Sequence, residues 1–470
     1  MAEEDHNYYQ QMAKKPKMSS IDEKSTAEEC YPRDSLDRYG DDLCEEILSY
    51  LSLEDCFRFE CLSKQWQRSV YKRQHVFDVD IVLMEKKVHH RGRHVGQTIA
   101  KDVNWRALEA VVKKCPNITA IDMIVNSKDT ETLFERLMNA YNDSLTAIHI
   151  RFMNCDNYMA KTIVDKYGHR LTAITTPGYQ SRVDALKPHL KSCTQLTQLS
   201  AIPNDVLYLK LSALFGADNE LLVKGLTHFE LSIKYENILP LLTPFVDHYR
   251  HSLKSIRVSF ERDVNSQLIG VLNELSRLNH LRHLSVFIKT RIHKQNHKSL
   301  IGCLQRLATE CKLLKRLELK ILAINGTQVR RLYHSLYRFQ RLRGLQLFVE
   351  KPKSDESDDT LKDLTLNSLS PLKRLTHLSL NFEDFMISET FFDSIDTLLP
   401  RIESLRGSSG LEITPRIEES VKQLPKLRHF YFSKTDHLQP FVIDVDESSG
   451  DDFSDSGSDA DLPSWMIQLD

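Results

Sequence analysis

One pattern recurs twelve times along this chain, and it constrains the fold more than any other feature. The pattern is apolar-x-x-apolar, usually followed by x-apolar. A repeat of this length predicts one strand and one helix in each unit, stacked so that neighbouring units share a core. The expected fold class is therefore α/β, with parallel strands on one face and helices on the other. The first positions lie 25 to 33 residues apart, at Ile118, Leu145, Leu171, Leu196, Leu226, Leu253, Leu281, Leu314, Leu342, Leu375, Ile402 and Leu427.

Composition divides the 470 residues into five predicted segments. Residues 1–34 are polar and are expected to be disordered, whereas 35–75 have the apolar spacing of a compact helical unit. Residues 76–117 join that unit to the repeats as their amino-terminal cap. The repeats occupy residues 118–440, and residues 441–470 form an acidic tail that is also expected to be disordered.

Charge is distributed unevenly between the repeats and the tail. Residues 441–470 hold nine acids and no Lys or Arg, while residues 35–440 hold 58 bases and 48 acids, a net charge of +10. Opposite charges on one chain attract, and tethering raises the local concentration of the tail to the millimolar range. We hypothesise that the tail lies across the basic body, with Trp465 and Met466 docking, and competes with a bound partner.

The helical unit carries one apolar face on each of two predicted helices. Leu43, Ile47, Leu48 and Leu51 share a face of the first helix. Phe57, Cys61 and Leu62 continue an apolar face that Trp66 closes. Residues 39–51, YGDDLCEEILSYL, resemble the opening of an F-box, and residues 62–66, LSKQW, resemble its later Val-Cys-Lys-Arg-Trp segment.

The whole chain thus resembles an F-box protein of the leucine-rich-repeat class. The resemblance implies a horseshoe-shaped solenoid and a substrate receptor of a cullin–RING ubiquitin ligase of the SCF type. In such a receptor the F-box binds a Skp-type adaptor, which connects it to the cullin and the RING protein, and the repeats bind a substrate protein that this sequence does not identify. The side chains implied as adaptor contacts are Leu43, Ile47, Leu48, Leu51, Phe57, Leu62 and Trp66.

A second set of candidates comes from the alternation of side chains along each predicted strand. Residues between the apolar positions point to the face opposite the helices, where a partner protein binds in a solenoid. Aromatic side chains there are typical anchors for a protein ligand. The substrate-binding candidates on this face are Arg151, Arg257, Phe287, Arg316, Lys320, Phe348, Arg406 and Tyr431.

Other classes of function are disfavoured by what the sequence lacks. No phosphate-binding glycine loop and no defensible catalytic constellation occur, so we expect no enzyme, no metal site and no cofactor. No signal peptide or apolar run of spanning length occurs, which favours the cytoplasm or the nucleus and no membrane. The alternative function is a leucine-rich-repeat scaffold outside the ubiquitin system. Nucleic acid binding is disfavoured because the candidate face is mixed in sign.

Overall fold

The computed structural model describes two compact units, which divide between Gln74 and His75. The described residues are 41–49, 63–73, 75–78, 105–152, 157–176, 186–201, 211–216, 218–233, 237–260, 265–289, 292, 294–322, 324–351, 361–383, 385, 387–409, 414–434 and 441–442. The predicted disordered segment 1–34 and most of the predicted tail, including Trp465 and Met466, therefore lie outside the described residues.

The first unit contains two described helices, α1 (Asp41–Ser49) and α2 (Lys64–Arg73). Ser63 caps α2, because its Oγ accepts a hydrogen bond from the backbone N–H of Trp66 at 2.9 Å. A serine at this position satisfies one of the N–H groups that the first turn of a helix leaves without a partner.

Among the described residues, the second unit is built on an open sheet of fourteen strands that follow one another in chain order. Strands β1 to β13 run parallel, and β14 alone runs antiparallel. The α/β class and the parallel sheet expected from the sequence are thus present. The strands are β1 Val76–Asp78, β2 Ala120–Val125, β3 Ala147–Phe152, β4 Ala173–Thr176, β5 Gln198–Ala201, β6 His228–Ile233, β7 Ser255–Phe260, β8 His283–Ile288, β9 Arg316–Ile321, β10 Gly344–Glu350, β11 His377–Glu383, β12 Ser404–Ser409, β13 His429–Lys434 and β14 Phe441–Val442.

Helices or short 3-10 turns connect the parallel strands. Within the predicted cap (76–117) the structure describes β1 and one helix, α3 (Trp105–Lys114), and residues 79–104 lie outside the described part. The α-helices are α3 Trp105–Lys114, α4 Lys128–Ala140, α5 Asn157–Tyr167, α6 Leu239–Tyr249, α7 Asn265–Leu275, α8 Lys294–Glu310, α9 Gly326–Ser335, α10 Ile395–Leu398 and α11 Pro415–Lys422. The 3-10 turns are Gly168–Arg170, Lys187–Ser192, Leu211–Leu214, Leu336–Arg338, Leu366–Leu369 and Glu389–Phe392.

The twelve predicted patterns coincide with twelve strands, β2 to β13, because the second apolar residue of each pattern lies in a strand. In strands such as β9 (Arg316–Ile321) these side chains alternate with partly exposed ones, whereas every residue of β4 and β6 is buried. The buried set packs against the helices, and each fully buried Leu contributes roughly 1.5–3 kcal/mol to folding. We call the partly exposed side of the sheet its outer face.

A ladder of backbone carbonyls marks the edge where the parallel strands begin. The residue just before a strand accepts two N–H groups from the next repeat, so Lys254 O accepts from Arg282 N at 2.7 Å and His283 N at 3.0 Å. At five places this ladder residue is a threonine, and several of these threonines add a side-chain hydrogen bond to the preceding carbonyl. The N–H groups at the start of each of these strands therefore find their acceptors in backbone carbonyls. Its threonines are Thr119, Thr172, Thr197, Thr227 and Thr376.

The pairing of β3 with β4 differs from the repeat alignment in the sequence. The pattern aligns Ile174 with Ile148, but the structure pairs Ile174 with Ile150. Thr172 stabilises this shifted register, because its Oγ1 accepts a hydrogen bond from the backbone N–H of Ile148 at 2.9 Å. An offset of two residues leaves every side chain on the same face, since side chains alternate with a period of two.

Candidate binding surfaces

The two described helices of the first unit pack through a small apolar core. Cys44 and Leu48 of α1 meet Trp66 and Val70 of α2, with the partly buried Tyr71 against them. Leu48 is 7 % exposed and Trp66 is 4 % exposed, so these two predicted adaptor contacts lie in the interior of the isolated chain. The indole N–H of Trp66 has no acceptor among the described residues.

Two apolar side chains of α1 remain on its exposed side. Leu43 is 44 % exposed and Ile47 is 37 % exposed, and they are four residues apart, so they lie on one face one turn above the other. The structure thus separates the predicted set into an exposed pair and an interior pair. The other three predicted adaptor contacts, Leu51, Phe57 and Leu62, lie outside the described residues.

Three predicted substrate contacts form a cluster on the outer face. Phe287, Lys320 and Phe348 occupy matching positions on β8, β9 and β10. The ammonium of Lys320 lies 4.8 Å from the ring centroid of Phe287 and 4.5 Å from that of Phe348. The ammonium of Lys289 also lies 5.1 Å from the ring centroid of Phe287. We call Phe287, Lys320 and Phe348 the aromatic cluster.

The predicted contact Arg257 lies on the outer face of β7 between two acids. Its guanidinium nitrogens are 3.8 Å from Glu230 of β6 and 3.8 Å from Glu318 of β9. These pairs are long and partly exposed, so they contribute little to stability. Arg257 therefore remains accessible to a partner at small energetic cost.

Arg151 differs, because it belongs to a buried group near the amino-terminal end of the sheet. Its Nε lies 3.0 Å from Asp122 Oδ1, and His149 Nδ1 lies 3.1 Å from the same oxygen. Burial alone would raise the pKa of Asp122, but the hydrogen bonds and charges of His149 and Arg151 hold it below the ordinary value. Arg151 thus forms an ion pair within the chain. It lies five strands away from the aromatic cluster.

The remaining three candidates lie toward the carboxy-terminal end of the outer face. Arg406 of β12 and Tyr431 of β13 are direct register partners, and Tyr431 is 41 % exposed. Arg316 is the first residue of β9 and lies at the edge of the sheet. These positions are accessible, as a contact with a partner requires.

That edge contains a cavity of about 820 Å³, which we call the basic cavity. Among the described residues, it is lined by nine Lys or Arg side chains and by one acid, Glu403. Burial and the charge of Arg316 lower the pKa of His377 on its wall, with Glu403 acting in the opposite direction. The basic residues are Lys254, Arg282, Lys315, Arg316, Arg343, Lys373, Arg374, Arg401 and Lys426.

Sequence reasoning selected only Arg316 from this cavity, although a signal for the rest was present. Lys254, Arg282, Lys315 and Arg343 are the second residue of four consecutive repeats, the ladder position that is threonine elsewhere. The prediction considered only residues between the later apolar positions. A comparison of the ladder position across repeats would have detected four cations in a row.

Other chemistry receives no support from the described residues. Within them, no group of three or more His, Cys, Asp or Glu side chains could hold a metal ion. The five described cysteines are free and buried. Burial raises the pKa of Cys193 to about 11 and that of Cys311 to about 12, which keeps both thiols protonated and unreactive at neutral pH. Over the same part of the chain, every helix is too short or too polar to cross a bilayer.

Comparison with known proteins identifies the first unit. A search of curated proteins finds no match to this chain. A search of family models finds one domain, which covers α1 and α2 together with the segment that links them. Residues 40–75 of this chain match the F-box domain.

Proposed function

We propose that this chain is the substrate-recognition subunit of an SCF-type cullin–RING ubiquitin ligase. The F-box at residues 40–75 supports an adaptor-binding role, since F-box domains generally bind Skp-type adaptors. In this proposal the repeats form a solenoid of the leucine-rich-repeat class that binds the substrate. The twelve parallel strands in chain order, spaced by 25 to 33 residues, favour that assignment.

The exposed apolar pair of α1 is the observation that carries the adaptor proposal. Leu43 and Ile47 point away from the core that Cys44 and Leu48 form with α2. Two large apolar side chains one turn apart are the kind of anchor that a partner's hydrophobic groove accepts. Burying both would contribute roughly 1.5–3 kcal/mol for each side chain.

The adaptor test is a pull-down of the full chain with a purified Skp-type adaptor. We expect Leu43→Asp plus Ile47→Asp to weaken adaptor binding by about 100-fold or more, because the lost burial exceeds 2.7 kcal/mol. The matched control, Leu43→Met plus Ile47→Met, keeps the apolar area and should retain binding. Leu48→Asp is unsuitable, because it introduces a charge into the core and would unfold the unit.

Failure of the unmodified chain to bind the adaptor at micromolar concentration contradicts the proposal. The chain would then be a repeat scaffold outside the ubiquitin system. Loss of binding in the Met control as well would instead assign the effect to α1 folding, and circular dichroism of the two variants distinguishes that case.

For substrate recognition we propose the outer face from β7 to β13. Its support is the aromatic cluster, in which two half-buried rings hold a lysine between them, together with the accessible Arg257, Arg406 and Tyr431. Aromatic and arginine side chains supply most of the affinity in protein interfaces. Arg151 is left out of this surface, because Asp122 already engages it.

The substrate test uses cells in which the proteasome is inhibited. Proteins that are ubiquitinated through the unmodified chain should lose that modification with Phe287→Ser plus Phe348→Ser, whereas adaptor binding stays intact. Tyr158→Ser is the control, since this exposed aromatic lies on α5, away from the outer face. An unchanged set of ubiquitinated proteins in the double variant would exclude the aromatic cluster as the substrate anchor.

A further inference from the structure

The basic cavity has a dimension and a charge that restrict its ligand. It extends along the strand starts from Lys254 before β7 to Glu403 before β12 and Lys426 before β13. Five strand spacings of about 4.8 Å make the row from β7 to β12 about 24 Å long. An extended peptide of about seven residues covers that length, whereas a compact anion would contact only part of the row.

The cationic side chains of this row do not make the hydrogen bonds that join the strands where they begin. Lys254, Arg282, Lys315 and Arg343 contribute their backbone carbonyls to the ladder, the same task that threonine performs in other repeats. Their side chains instead accumulate positive charge along one edge. Like charges at this spacing repel, so an anion that bridges them is bound favourably.

The direction of β14 leads the chain toward this edge. Phe441 pairs with Phe432, and Val442 pairs with Tyr431, so the chain leaves β14 toward the beginning of β13. The beginning of β13 is part of the ladder, because His429 N donates to Glu403 O. The chain therefore leaves Val442 in the direction of the basic cavity.

The segment that follows has complementary charge and sufficient length. Residues 443–470 contain nine acids and no Lys or Arg. Fully extended, the 28 residues reach about 90 Å. That exceeds the roughly 29 Å of six strand spacings that separate β13 from β7.

We propose that the basic cavity is a binding site for an acidic peptide, and that residues 443–470 of this chain occupy it. The tether keeps the segment at a millimolar effective concentration, so a weak contact suffices for occupancy. A partner's acidic segment could enter only by displacing this one. The proposal does not depend on the F-box or on the adaptor, so it can fail independently of the proposed function.

The first test is carbodiimide cross-linking of the full chain, followed by mass spectrometry. We expect bonds between acids of residues 443–470 and the cavity lysines Lys254, Lys315, Lys373 or Lys426. Arg282→Thr plus Arg343→Thr keeps every lysine and installs the residue of other ladder positions, and should lower the yield of these cross-links about fivefold. The matched control is Arg250→Gln plus Arg306→Gln, which removes two exposed charges elsewhere and should leave the yield unchanged.

The second test measures a synthetic 443–470 peptide added to the full chain. One version of the chain is unmodified, and the other has the nine acids of this segment replaced by Asn or Gln. We expect the peptide to bind the neutralised chain at least about tenfold more tightly, because its own segment no longer competes. Added salt should weaken that binding, as screening reduces the attraction between exposed charges.

Three results would overturn the proposal. If the peptide binds both chains equally, the cavity takes an acidic peptide from a partner instead of its own segment. If the peptide binds neither chain and no cavity cross-link forms, the cavity is not a site for acidic peptides. Preferential binding of a single-stranded oligonucleotide to the neutralised chain would reassign the cavity to nucleic acid.

Discussion

The two halves of the sheet share one backbone design and differ in what their outer side chains do. Around β2 to β5 the outer side chains bond to one another, as in the buried group of Asp122, His149 and Arg151 and in the hydrogen bond between the hydroxyls of Thr175 and Ser200. Before β7 to β10 the ladder positions carry cations, and the outer face of β8 to β10 carries the aromatic cluster. In both halves the ladder is made by backbone carbonyls, so the side chain at the ladder position can differ from repeat to repeat.

The largest effect that tests this comparison concerns Asp122. Asp122→Asn removes the charge that pairs with His149 and Arg151, and should lower the free energy of unfolding by about 1–3 kcal/mol at pH 7. The matched variant is Glu318→Gln on β9, whose 3.8 Å pair with Arg257 is partly exposed. It should cost less than about 1 kcal/mol. Urea unfolding of both variants measures the difference, and equal costs would contradict the division into halves.

The sign of the pH dependence follows from the depressed pKa of Asp122. The folded chain binds fewer protons than the unfolded chain near this pKa, so the contribution is present above the ordinary pKa of about 3.9 and is lost as pH falls below it. Asp122→Asn should therefore flatten the acid side of the stability profile. Repeating the urea series between pH 3 and pH 6 provides the measurement.

A smaller effect is expected for His228, at the start of β6, where the two halves adjoin. Burial, and then the charge of Lys254, lower the pKa of His228 to about 4. The neutral ring is therefore favoured in the folded state, and its stabilisation is present above about pH 6.5 and decreases as pH falls toward 4. We expect this group to account for a loss of about 1–2 kcal/mol between pH 7 and pH 5.

His228→Gln tests that expectation, because Gln198 occupies the matching position on β5. Unfolding free energies at pH 7 and pH 5 should differ less in the variant than in the unmodified chain. An unchanged difference would mean that another group titrates in this window.

The smallest effect on stability is expected at the cationic ladder. Arg343→Thr should change the free energy of unfolding by less than about 0.5 kcal/mol, because the backbone of residue 343 makes the ladder bonds and Thr376 shows that threonine fits the next repeat. Thermal unfolding provides the check. A loss larger than about 1 kcal/mol would show that the cationic side chains help to hold the strands.

The strands could be predicted well from the sequence because the same spacing of apolar residues recurs in each repeat. The second apolar residue of each of the twelve patterns lies in a strand, as the repeat predicts. The F-box segment could also be recognised, because its apolar spacing is local to about forty residues. Local periodicity carries this information without knowledge of which strands are neighbours.

Features that depend on register or on the choice of partner could not be predicted. The offset of β3 against β4 arises from Thr172, and only the register shows that Arg151 lies beside Asp122. The spacing of apolar residues predicts both Leu43 and Leu48 as adaptor contacts, yet the structure exposes Leu43 and buries Leu48. The basic cavity is lined by residues from the starts of seven neighbouring strands, which no single repeat reveals.

The reversed direction of β14 has a consequence for how molecules of this protein meet. A stack of parallel strands has no intrinsic last member, because each strand presents the same unsatisfied backbone groups to a newcomer. At Tyr431 and Phe432 the backbone groups of β13 are already paired by β14, which runs antiparallel. A strand of another molecule therefore cannot add in parallel to β13 at these two residues. We therefore expect β14 to disfavour end-to-end association of molecules through this edge of the sheet.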